Sequence, residues 1–93
     1  FLASGVRLGI GTDGVTLDMV DELRAAATLA KTQSGQPWAG SAERLLTAAT
    51  RDSADALQRP DLGRLTPGAR ADLVMFDLSA ARYQPVWNPL RAL

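Results

Sequence analysis

An α/β fold is predicted for this chain, and three observations predict it. Residues 6–11 (VRLGIG) form a short apolar run closed by glycines, the pattern of a buried strand. Residues 17–31 follow with apolar side chains at helical spacing. Further on, LVMF at residues 73–76 is apolar on both alternating faces, as in a strand covered on both sides. The expected order is strand, helix, helical region, then small β elements.

Each element has its own signals. Thr16 or Asp18 can cap the first helix, and Asp18, Asp21 and Glu22 place negative charge on its first turn. Those acids are read as partners of the helix dipole rather than as metal ligands. Val20, Leu23, Ala27 and Ala30 give the helix an inward face, and Lys31 suits the negative end of the dipole. Residues 32–40 (TQSGQPWAG), with two glycines and a proline, read as a loop. A second helical stretch begins near Ser41, with Ala42, Leu45, Leu46, Ala49, Ser53 and Leu57 on one side. Thr50 could act as a new N-cap, so either one helix of about four to five turns or two shorter ones in tandem are expected. Pro60 ends it. Gly63, Pro67 and Gly68 are turn formers, residues 71–78 read as a strand, and the tail YQPVWNPLRAL as largely extended.

Bulk properties narrow the function classes. A chain of 93 residues is one domain at most, and 46% apolar residues is an ordinary globular value. Ten basic and ten acidic residues cancel and form no basic stripe, so nucleic acid is not an expected partner. No apolar run approaches the ~20 residues that span a bilayer, so no membrane association is expected. Without cysteine there is neither a disulfide framework nor a thiolate metal site, which fits a cytoplasmic location. Histidine is absent too, so chemistry that needs imidazole cannot be complete here. The chain starts without Met, and it reads as a piece of something larger.

The segment GIGTDG, residues 9–14, admits several readings. It spells G-x-G-x-x-G, the pattern of a dinucleotide-binding turn. Against that, Asp13 would set a negative charge where a pyrophosphate belongs. The loop at 32–40 stands where a second strand ending in an acid should be. Gly14, Val15 and Thr16 also put more loop before the helix. A second reading makes Asp13 a turn residue, since Asp-Gly is a common turn pair. A third makes it a reactive carboxylate at the carboxyl end of a strand, able to hold a metal ion or take a proton. Thr12 is a weaker candidate beside it.

Four segments carry a family likeness: GVRLGIGTDG, LDMVDELRAAATLAK, LLTAATRDSADAL and LGRLTPGARADLVMFDL. In this order they resemble the carboxyl-terminal part of the amidohydrolase superfamily, nearest to its metal-dependent aminohydrolases and chlorohydrolases. The resemblance implies that residues 1–58 are the last part of a hydrolase (β/α)8 TIM barrel, with 6–11 as its eighth strand and 17–31 as the helix after it. Residues 59–93 would belong to a small composite β-sandwich. It implies a hydrolase acting on C–N or C–Cl bonds, above all a deaminase of heterocycles that uses a metal-activated water. Asp13 would then be both catalytic and metal-binding, as a ligand of a divalent metal, zinc or iron, that passes a proton to the leaving group. The metal's other ligands would be histidines absent from this chain, so the 93 residues alone are expected to be inactive. Only Val15 and Thr16 separate GTDG from LDM, where many relatives carry more polar residues.

Other residues invite less. Asp72 and Asp77 flank the LVMF run five residues apart, so strand alternation points them to opposite faces, against a paired acid and base. Trp38 and Trp87 are expected to pack in a core or loop. The expected partners are a small-molecule substrate and either the rest of a barrel or further copies of the chain, because a lone barrel strand has unpaired edges. The resemblance also implies a homo-oligomeric parent. The rival reading is a non-catalytic α/β module that associates with a partner chain.

Overall fold

The structure, a computed structural model, describes residues 4–14 and 17–93. Its longest element is helix α1, Met19–Ser34. The helix starts where Asp18, in extended backbone, turns its carboxylate onto the amides of Val20 and Asp21 at 2.9 and 3.3 Å. These are two of the donors that a first helical turn leaves without partners. Asp18 is therefore the cap; Thr16, the alternative, lies outside the described residues. The helix ends at Gly35, whose positive φ of 66° lets its N–H return to the Lys31 carbonyl at 3.0 Å. Val20, Leu23, Ala27 and Ala30 all lie on the half-buried side, as the spacing predicts, but no residue of α1 is fully buried.

The second helical region is continuous but not uniform. Helix α2, Ala42–Thr47, is capped by the Ser41 hydroxyl, which accepts from the Arg44 amide at 3.3 Å. A π-helical turn follows at Ala48–Asp52, and helix α3 occupies Ser53–Ala56. Thr50 starts no new helix. Its hydroxyl donates back to the Leu46 carbonyl at 2.7 Å, a bond made inside a helix rather than at its start. The extra residue of the π-turn joins the two helices instead. The region ends before Pro60, at Leu57, and Gln58 takes a positive φ of 58°.

The core sits where α1 meets α2. Leu45 and Ala48 are 4% and 0% exposed, and Ala54 and Tyr83 add to them. Gly40 is buried between the helices with a positive φ of 63°; a Cβ there would come within 2.8 Å of the Ala30 Cβ and 3.5 Å of Leu45 Cδ1. Leu57, expected on the same apolar side, is exposed. It stands past the last turn of α3 and has left the helix's inward face.

Residues 59–70 fold into a loop pinned by charge. Arg59 grips Asp61 through two hydrogen bonds of 2.8 and 2.7 Å, the Arg70 amide donates to the Asp61 carbonyl at 2.9 Å, and Arg64 pairs with Asp55 of α3. Beyond it come a 3-10 turn at Ala81–Tyr83 and helix α4, Pro89–Ala92, capped by Asn88. Arg24 of α1 donates to the Leu93 carbonyl at 2.7 Å, tying the tail to α1.

The expected β elements do not form. Among the described residues there is no strand: residues 6–11 and 71–77 carry no regular secondary structure. Nor is LVMF covered on either face, since Leu73, Val74, Met75 and Phe76 are all exposed. The reason is the one that separates strands from helices. A helix satisfies its N–H and C=O groups within its own segment, whereas a strand needs a neighbour at ladder distance, and no segment among the described residues pairs with either run. The two tryptophans depart from expectation as well, with Trp38 74% and Trp87 90% exposed, because the small core between α1 and α2 reaches neither.

Candidate active site

Asp13 lies in a tight turn that closes the 6–11 segment, with a positive φ of 51°. Asp is one of the few residues apart from glycine that tolerates this conformation, and Gly14 beside it also has a positive φ, of 75°. The side chain is exposed and makes no hydrogen bond or ion pair with a described residue. It is thus an exposed carboxylate presented on a turn. Thr12 beside it is half-buried.

The segment that carries Asp13 is anchored from the other half of the chain. The Ile10 amide donates to Ser53 Oγ at 3.2 Å, and that hydroxyl donates to the Ala48 carbonyl at 2.7 Å. Ser53 spans the π-turn with this second bond, reaching five residues back. Gly9 makes the approach possible: a Cβ there would come within 2.9 Å of Ser53 Oγ. Arg7 runs alongside, near enough to help hold the Asp52 carboxyl below the usual carboxylate range, an effect led by the hydrogen bond from Arg44. One hydroxyl therefore links residues 43 apart in the sequence.

The remaining acids bear out the quieter readings. Asp18 caps α1, Asp21 pairs with Arg24 at 3.3 Å, and Asp77 accepts the Ser79 amide at 2.9 Å as a turn acid does. That last bond keeps the Asp77 carboxyl below its ordinary range. Asp72 is exposed. No cluster of three or more His, Cys, Asp or Glu side chains able to hold a metal occurs among the described residues. Asp13 fits a divalent cation as one hard oxygen ligand, and the described residues hold no cluster that would complete a site around it. A groove of about 380 Å³ lies elsewhere, between α1, the 36–41 loop and α4; Trp38, Leu45 and Leu46 line it with the cations Arg24, Lys31 and Arg91, and Asp13 does not.

Sequence reasoning missed Ser53. It was legible as one member of an apolar-side stripe, and nothing in the spacing marks its contact with Ile10. A small polar residue on an otherwise apolar helix face is the one signal that could have found it.

The amidohydrolase family profile matches residues 1–92, nearly the whole chain. The chain belongs to the amidohydrolase family. A 5-methylthioadenosine/S-adenosylhomocysteine deaminase of Nitratidesulfovibrio vulgaris (strain DSM 19637 / Miyazaki F) is 44% identical over 92 residues, covering 95% of this chain and 21% of that protein. Proteins of the same name from Moorella thermoacetica (42% identical, 90% of this chain, 21% of that protein) and Halalkalibacterium halodurans (39%, 90% and 20%) are similar. The amidohydrolase segment therefore spans about a fifth of the length of the curated relatives it matches. No solved structure matches it. No helix among the described residues is long and apolar enough to cross a membrane.

Proposed function

We propose that the protein carrying this amidohydrolase segment is a metal-dependent deaminase, in which residues 6–11 are the last strand of a (β/α)8 barrel and Asp13 stands at that strand's carboxyl end. The observation that carries the reading is the family match over residues 1–92, joined to 44% identity with a named deaminase over the same stretch. The exposed run at 73–76 supports the β part, since LVMF has the apolar pattern of a strand and lacks only a neighbour to pair with.

The overall reaction is hydrolytic. Water adds its oxygen to a ring carbon, the exocyclic C–N bond breaks, and ammonia leaves. The relatives' names support, as the substrate, an adenine nucleoside bearing a 5′-thioether. A divalent zinc or iron ion, when bound, supplies a Lewis acid that brings water's pKa toward neutrality. Asp13 contributes one carboxylate oxygen as a ligand and a base that accepts the water's proton and returns it to the departing nitrogen. Its exposure leaves the carboxylate accessible for that work.

The test is made on the natural full-length polypeptide. Ammonia release is followed with 5-methylthioadenosine, S-adenosylhomocysteine, guanine and cytosine, and metal content is measured for wild type and Asp13→Asn. The expected result is release from the thioether nucleosides and, in D13N, loss of activity by at least about a hundredfold together with weakened metal retention. Wild-type metal retention and turnover in D13N would remove Asp13 from the site; no release from any of the four would overturn the deaminase reading.

A further inference from the structure

We propose that Ser53 is a positioning residue for Asp13, setting the height and angle at which the 6–11 segment delivers that carboxylate. The proposal rests on the reading of Asp13 as a metal ligand. Its own support is geometric. Ser53 Oγ is both acceptor and donor: it takes the Ile10 N–H at 3.2 Å and gives its proton to the Ala48 carbonyl at 2.7 Å. The hydroxyl is therefore fixed in direction, since its single proton is committed to the π-turn and its lone pair faces Ile10. Asp13 is three residues beyond Ile10 in the chain, and its own positive φ of 51° sets the turn on which its carboxylate stands.

The opposite surface of the joint is equally specific. Gly9 lies so close to Ser53 that a Cβ would approach Oγ to 2.9 Å. The close contact, the two bonds and the extra residue of the π-turn at Ala48–Asp52 act together. The π-turn's wider backbone holds Ser53 back relative to α2 and lets a short hydroxyl bridge Ala48 and Ile10 at once. An unbroken α-helix would carry position 53 about 100° further around the axis. The consequence for function is leverage. A ligand carboxylate must be held to a fraction of an ångström, and a neighbour that orients a ligand typically controls about 10–100-fold of metal affinity.

The experiment uses the full-length protein in six forms: wild type, Ser53→Ala, Ser53→Thr, Gly9→Ala, Asp13→Asn and Ser41→Ala. Zinc affinity is measured by chelator competition, kcat and KM by ammonia release, and exchange of the Ile10 amide by hydrogen–deuterium exchange on metal-free protein. S53A is expected to bind zinc about 10–100-fold more weakly, to lose kcat with KM changed less than about twofold, and to exchange Ile10 faster. S53T keeps the oxygen and is expected to recover most of the affinity. G9A reaches the same joint from the other side, keeps Ser53 intact and should weaken zinc binding too. Ser41→Ala, which loosens α2 without touching the joint, separates position from stability: it should lower the melting temperature and leave zinc affinity unchanged. The proposal falls if S53A and G9A bind zinc as wild type does while D13N does not, or if S41A weakens zinc as much as S53A. If D13N itself holds zinc like wild type, the reading of Asp13 has failed, and this inference fails with it.

Discussion

Gly63 passes directly over the carbonyl of Thr50: a Cβ at position 63 would sit 2.5 Å from that oxygen and 3.0 Å from the Arg51 nitrogen. The φ of Gly63 is 69°, so the residue is fixed twice, by conformation and by space. The contact seats the 59–70 loop on the π-turn that leads into Ser53.

Gly63→Ala should therefore destabilise more than a glycine replacement that meets only the conformational barrier. Gly35 supplies the comparison, since it has a φ of 66° and nothing within 4 Å of the place an added methyl would take. G35A is expected to cost about 1–2 kcal/mol, and G63A about 2–5 kcal/mol because backbone must also move. Denaturant midpoints at constant slope check both; equal losses would mean that the loop yields freely.

Acid should loosen the same loop. Arg59 beside Asp61 holds its carboxyl down to about 2, with the Arg70 charge helping, against an ordinary value of 3.8. A depressed folded-state pKa contributes stability that is complete above the ordinary value and disappears as pH falls through the folded one. The stability that Asp61 contributes is thus present above about pH 4 and lost between there and about pH 2. Asp61→Asn should be less stable than wild type at pH 5 and show a shallower decline across that interval. Parallel curves for the two proteins would show that the pair contributes nothing to folding.

Asp18 caps the start of α1 through its side chain, bonding two amides. Asp18→Ala should cost about 1 kcal/mol, while Asp18→Ser or Asp18→Asn should cost only a few tenths of that. Thermal or denaturant unfolding followed by the helical signal reads the difference. A loss as large in D18S as in D18A would assign the effect to charge and not to capping.

The run at 73–76 is expected to be the adhesive part of the 93-residue chain in isolation. Val74 is 76% and Met75 90% exposed, between neighbours that are also apolar and exposed. Exposed extended apolar segments pair with copies of themselves. Sedimentation over a concentration series should show self-association, and Val74→Lys should shift it to several-fold higher concentration. A monomer at all concentrations, with a single sharp melt, would contradict this.

The sequence by itself determined α1 with its cap, the second helical region and the family, whereas α4 with its Asn88 cap stands in a tail read as largely extended. Asp18 before MVDEL, Lys31 in the last turn and Gly35 after it are local instructions, because a helix closes its hydrogen bonds within a few residues. The pattern GTDG with LDM after it, and L-x-P-G-x-x-A-D-L-V later, was enough to indicate the amidohydrolase family that the match over residues 1–92 establishes. Tertiary structure alone decided what no short window contains. It replaced an expected cap at Thr50 with a π-turn, put Ser53 against Ile10 across 43 residues, and fitted Gly63 to Thr50. It also left 6–11 and 73–76 extended and unpaired, although both have the apolar pattern of strands. An apolar pattern records that a segment is suited to a ladder, but a ladder is a relation between two segments, and only the folded chain decides whether the second one lies alongside.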